Sequence, residues 1–173
     1  MRALGYSIDV TTGINPAALA TGTITGARVH MRNYQSLGVL LNKGVASAGT
    51  DTLTITLFES NAASGGTNQA LATITDWYYK STAAALAGNE AWTEVNQAAA
   101  STLALANSGP IKAANSALVY FDVETESMSQ GFQWLNVTLS GLTSTNTIPG
   151  SITHIATGLD IMRRPDLLAQ PNL

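Results

Sequence analysis

From Thr52 to Phe58 the chain reads Thr-Leu-Thr-Ile-Thr-Leu-Phe, so Leu53, Ile55 and Leu57 fall on one side of an extended backbone and three threonines on the other. A period of two is that of a β-strand with one dry face and one wet face. Similar segments recur at Ala27–Met31, Leu37–Leu41, Ala70–Tyr79, Leu118–Val123, Phe132–Leu139 and Ile152–Ile161. Clusters of Gly, Ser, Asn and Thr separate them, notably at 61–68 and 140–146, and these supply turn chemistry. About eight short strands without an alternating helical pattern predict an all-β fold, either an antiparallel β-sandwich or a jelly-roll-like domain. Helix competes only over the Ala-rich run Gln97–Ala106, where Ser101, Thr102 and the Asn107–Pro110 turn limit it to a short helix or a loop.

The two ends break the pattern. Residues 1–24 contain Gly13, Pro16 and Gly22, and in residues 163–173 Pro165 and Pro171 bracket Leu167 and Leu168. Both read as extended N- and C-terminal arms on a single domain spanning 1–173. Ile14, Leu167 and Leu168 are the apolar side chains that such arms would set into a partner's pockets.

A chain of 173 residues can bury a core, yet only 11% of it is charged, against roughly 25% in ordinary globular proteins. A surface so sparing with charge suits a protein covered by neighbours. The net charge of -3 and three scattered lysines, Lys43, Lys80 and Lys112, argue against a nucleic-acid partner. The absence of cysteine removes disulfides, thiolate zinc sites and a cysteine nucleophile together. No apolar run approaches the length of a membrane helix, and the first residues lack the apolar stretch of a signal peptide, so neither is expected.

Little in the sequence suggests catalysis. The two histidines, His30 and His154, accompany no Gly-x-Ser-x-Gly elbow, phosphate-binding glycine loop or metal-ligand spacing. No cofactor or metal is expected, and His154 reads as a packed or capped histidine. Two charged rows are more informative: Arg28, His30 and Arg32 alternate with Ala27, Val29 and Met31, and Asp122, Glu124 and Glu126 alternate with Phe121, Val123 and Thr125. Same-face residues of one strand stand about 6.5–7 Å apart, too far for one row to converge on a cation. Like charges in a row repel, so at least one row is expected at a subunit or partner interface, facing an opposite row of the same or another chain. Trp77, Tyr78, Tyr79 and Trp92 pose a choice between core and a carbohydrate-binding surface, and an exposed groove lined by Trp77 and Trp92 would favour the latter. Trp134, among Phe132, Leu135 and Val137, reads as core.

The order of segments carries a resemblance. Leu4-Gly-Tyr-Ser-Ile-Asp-Val10 leads into Asn15-Pro-Ala-Ala-Leu19, then Thr25-Gly-Ala-Arg-Val-His-Met31, Gly38-Val-Leu-Leu-Asn-Lys-Gly-Val45, a Thr-alternating strand and Trp77-Tyr-Tyr-Lys80. This resembles the head decoration (cement) proteins of tailed bacteriophages, well over the first half of the chain and in general pattern beyond it. The resemblance implies a β-rich subunit, frequently a homotrimer, seated on the capsid surface of the virion. It further implies terminal arms that grip the major capsid protein, no enzymatic activity and synthesis in the host cytoplasm. The alternatives are another phage structural component (tail, neck or fibre) and a carbohydrate-binding β-sandwich module.

Overall fold

The computed structural model describes residues 7–19, 22–46, 52–142 and 148–159. Strands β1 (Ile8–Leu19), β2 (Gly22–Thr25), β3 (Val29–His30), β4 (Ser36–Lys43), β5 (Leu53–Ser60) and β6 (Asn68–Ala70) are followed by β7 (Ile74–Thr82) and β8 (Thr93–Ala100). The remainder are β9 (Thr102–Leu105), β10 (Ser116–Glu124), β11 (Trp134–Leu142) and β12 (Ile148–Thr157). They form two antiparallel sheets packed as a β-sandwich. The first sheet runs β1-β12-β4-β10-β7-β8; the second runs β2-β11-β5-β6, with β3 also on β11 and β9 also on β5.

This order is that of a jelly roll. Pairing β2 with β3 and β6 with β9 as two interrupted strands gives eight positions in chain order. Positions 1-8-3-6 then form one sheet and 2-7-4-5 the other, which closes two Greek keys over one core. The hairpin β7–β8 is an insertion between the halves of position five. The Leu71 N–H donates to the Leu57 carbonyl at 3.1 Å, and the Leu57 N–H donates to the Ser101 carbonyl at 2.8 Å. Both ends of the excursion therefore meet at one residue of β5, after which β9 resumes the ladder that β6 had left.

The alternation predicted over 52–58 is present: Leu53, Ile55 and Leu57 are buried, with Thr54, Thr56 and Phe58 only partly so. They join Leu37, Val39, Leu41, Val119, Phe121, Val123, Leu135 and Val137 in one core between the sheets. Two expectations change. The run 97–106 is neither helix nor loop but strand on both sides of Ser101, because pairing with β7 and β5 and the burial of Leu103 and Leu105 override the helix preference of alanine. Nor do residues 8–19 form a free arm. They pair with β12 from Ile8↔Thr157 to Leu19↔Ile148, and register shifts accommodate the stretches containing Gly13 and Pro16.

Candidate functional site

Among the described residues, neither histidine is hydrogen-bonded to a carboxylate or a hydroxyl. His30 stacks on Trp134 with ring centroids 4.4 Å apart, and its Nε2 lies 3.2 Å from Gln133 Oε1. His154 is fully buried, and neither ring nitrogen has a hydrogen-bond partner. It is packed, as expected, but not capped; burial lowers its pKa to about 4 and keeps it neutral. A Cβ on Gly13 would stand 2.6 Å from His154 Nε2, so only glycine leaves room for the ring under β1. Lys43 is likewise buried and, among the described residues, has no acid beside it. Its ammonium donates to the carbonyls of Lys112 at 3.1 Å, Ala113 at 3.3 Å, Gly44 at 3.4 Å and Asn115. It thereby pins the 109–115 loop to the end of β4. Glu59 accepts from Gln69 Nε2 at 2.7 Å and from the Ser129 N–H at 2.8 Å, holding the β10–β11 loop in the same manner. These buried polar groups fasten loops; sequence reasoning missed them because most of their partners are main-chain atoms about seventy residues away. Among the described residues, no group of three or more His, Asp or Glu is placed to hold a metal ion.

The two charged rows lie on opposite outer faces of the sandwich. Val29 on β3 and Val119, Phe121 and Val123 on β10 point into the core, so the pleat turns Arg28 and His30 outward from one sheet and Asp122 and Glu124 outward from the other. Complete pairing of the rows within one chain, one of the arrangements considered above, is thus excluded. Arg28 is occupied otherwise: its Nη1 donates to the carbonyls of Ala62 at 2.7 Å and Gly65 at 2.8 Å, clamping the β5–β6 loop. Arg32 and Glu126 leave the strands altogether and sit in short 3-10 turns, Met31–Asn33 and Thr125–Ser127.

The ends of the rows do meet. Arg32, Glu124 and Glu126 rim one groove of about 530 Å³ at the end of the sandwich, lined also by Met31, Tyr34, Gln35, Met128 and Phe132. Asp76 shares a second depression with Asp122 and Glu124, which extends the acidic face onto the inserted hairpin. That face is felt by two tyrosines. Glu94, with smaller contributions from burial and from Asp76 and Asp122, raises the pKa of Tyr78; burial, then Asp122 and Glu124, raises that of Tyr120.

Ile14, expected on an arm, is 5% exposed within the chain's own core and is not free for a partner. Leu167 and Leu168 lie outside the described residues. Trp77 is only 6% exposed and Trp92 is 47% exposed, lying 4.9 Å beneath the Lys80 ammonium. The exposed pair that would mark a carbohydrate groove is absent. Trp134 is buried on the outer face of the second sheet against His30 rather than between the sheets, which corrects its assignment to the core.

No family model matches the chain, and no curated protein matches it. Among solved structures it is similar to a chain of infectious bursal disease virus Gt strain, at 11% identity and a TM-score of 0.28, covering 94% of this chain and 44% of that one. It is also similar to the infectious bursal disease virus VP2 subviral particle, at 12% identity and a TM-score of 0.28, covering 95% of this chain and 44% of that one. The chain therefore spans less than half the length of these proteins.

The sheet edges differ in their protection. β1 is interrupted by two register shifts and carries Pro16, while β2, β3, β6 and β9 are four residues or fewer. Short and bulged edges resist pairing with other chains. β8 is longer than those short edges and carries one register shift against β7, where Ile74 pairs with Ala100 but Asp76 with Asn96. It is eight residues of Thr-Glu-Val-Asn-Gln-Ala-Ala-Ala, with Thr93, Glu94, Asn96, Ala98 and Ala99 exposed and Glu94 its one charge. Its outer row of N–H and C=O groups is a template for a further strand.

Proposed function

We propose that this chain is a non-catalytic structural subunit of a virion, a decoration protein that binds the outside of a phage capsid and stabilises it. The resemblance of its first half to head decoration proteins suggests this reading, and the open β8 edge is the observation that carries it. A chain with 11% charge whose other edges are short or twice interrupted, and whose eight-residue β8 pairs only with β7 among the described residues, offers that edge for main-chain pairing. The strand that meets β8 belongs to the shell: to the major capsid protein or to a neighbouring copy in a homotrimer. Neither nucleic acid nor membrane enters this scheme.

The variant Asn96→Lys with Ala98→Lys places two cations on exposed positions of β8, the device by which natural edge strands refuse partners. Its unfolding free energy should stay within about 0.5 kcal/mol of the parent, as for surface changes in general. Its affinity for capsids should fall at least about tenfold, or about 1.4 kcal/mol. Unchanged capsid binding by this variant would remove β8 from the interface.

A further inference from the structure

The tip of the β7–β8 hairpin presents a built knob. Among the described residues Trp92 is the one aromatic side chain that stands exposed, at 47%. The Lys80 ammonium lies 4.9 Å from the centre of its indole, a cation–π contact that holds the ring in one orientation. Glu90 orders the turn behind them, accepting from the Ala87 N–H at 2.7 Å and from the Gly88 N–H at 3.0 Å. A tryptophan fixed at the surface in this way has the character of an interface anchor, the residue type enriched where binding energy concentrates.

The groove at the end of the sandwich has the complementary make-up. Its floor is apolar, with Met31 and Tyr34 buried and Met128 and Phe132 partly so. Two thioethers and a phenyl ring suit an indole, because sulfur packs favourably at aromatic edges. Two exposed carboxylates, Glu124 and Glu126, and one exposed guanidinium, Arg32, stand on the rim. The Tyr34 hydroxyl is turned away, donating to Asp9 Oδ2 at 2.7 Å, so the floor offers no polar demand that an indole would leave unmet.

Knob and groove of one chain cannot meet. Lys80 pairs with Leu118, and Glu124 on the groove rim lies six residues further along β10, about 20 Å away. We propose that Trp92 of one copy inserts into this groove of a second copy. The indole covers Met31, Met128 and Phe132, Lys80 faces Glu124 and Glu126, and Glu90 faces Arg32. The two surfaces differ, so the contact is heterologous, and its repetition gives a ring or a row of copies. It does not rest on shell binding, since both surfaces belong to this chain, and it uses the hairpin tip rather than the β8 edge.

Trp77 and Trp134 are only 6% and 8% exposed, so quenching of fluorescence by neutral acrylamide reports chiefly on Trp92. Sedimentation equilibrium of the full chain should show reversible association with a Kd below about 1 mM, and quenching should fall over the same concentration range. Trp92→Ala should weaken association at least about thirtyfold, as loss of an aromatic anchor does. Glu124→Lys with Glu126→Lys should weaken it about fivefold to tenfold, the effect of removing a few exposed ion pairs. Each variant keeps the surface that the other lacks, so an equimolar mixture should form heterodimers more tightly than either variant associates alone. Far-ultraviolet circular dichroism of each variant checks that the sandwich is intact. A chain that stays monomeric up to about 1 mM would overturn the proposal. Association that leaves Trp92 open to acrylamide, or a mixture no tighter than its components, would overturn it equally.

Discussion

Replacing Lys43 by methionine is expected to cost the fold about 2–4 kcal/mol, because buried carbonyls would lose their donor while the aliphatic volume is largely kept. Four carbonyls converge on this ammonium. Two have other donors: the Asn115 N–H serves the Lys112 carbonyl at 3.0 Å, and the Ala46 N–H serves that of Ala113 at 2.9 Å. The loss therefore falls mainly on the carbonyls of Gly44 and Asn115. Burial lowers the Lys43 pKa to about 8, so the ammonium is still the main form at neutral pH and donates as drawn. Denaturant unfolding at pH 7 measures the loss. Hydrogen exchange should locate it in residues 109–115, which hang on Lys43 together with the bond from Asn115 Nδ2 to the Pro110 carbonyl at 2.6 Å. A change below about 0.5 kcal/mol, the range of an indifferent surface substitution, would show that water reaches those carbonyls as readily as the lysine does.

Acid should weaken the fold through His154. The group titrates near 6.5 when unfolded and about 4 when folded, because a ring enclosed by Gly13 and Ile152, with no acceptor at either nitrogen, resists charging. The unfolded chain therefore binds a proton between these values while the folded chain does not, and stability falls as pH drops through that window. Above pH 6.5 the contribution is complete; below about pH 4 it is gone. Over the whole interval the loss amounts to about 3 kcal/mol. Unfolding titrations of the parent and of His154→Leu, compared across pH 4 to 7, isolate it: the variant should lack this part of the slope. At pH 7 the leucine should cost no more than about 1.5 kcal/mol, because an apolar group of similar size replaces a ring whose polar atoms gain nothing. Parallel pH profiles for the two proteins would mean that the ring is charged or hydrated within the fold.

Much of the architecture was legible because the core is written locally. Every residue of the alternation at 53–57 faces the side that its apolar or polar character dictates, and the same holds for Val119, Phe121 and Val123 against Asp122 and Glu124. What escaped the sequence depends on partners far along the chain. Gln97–Ala106 has local helix propensity, and only ladder positions on β7 and β5 make it strand. Ile14 reads as an arm because Gly13 and Pro16 surround it, yet the bulges they permit let β1 pair with β12 and bury it. The charged rows were visible as rows, but their placement on opposite faces follows from which sheet each strand joins. The groove where Arg32 meets Glu124 and Glu126 joins segments about ninety residues apart, and no local pattern announces it.

The central claim is that the chain is a shell-binding subunit, and sedimentation with capsids tests it most directly. Heads of the phage to which the proposal assigns the chain, prepared without it, are mixed with purified protein and pelleted, and bound copies are counted against the major capsid protein. The account predicts saturable binding at a fixed number of copies per shell, with heads so covered resisting heat better than bare ones. Protein left in the supernatant at micromolar concentration, or uptake that rises without saturation, would contradict it.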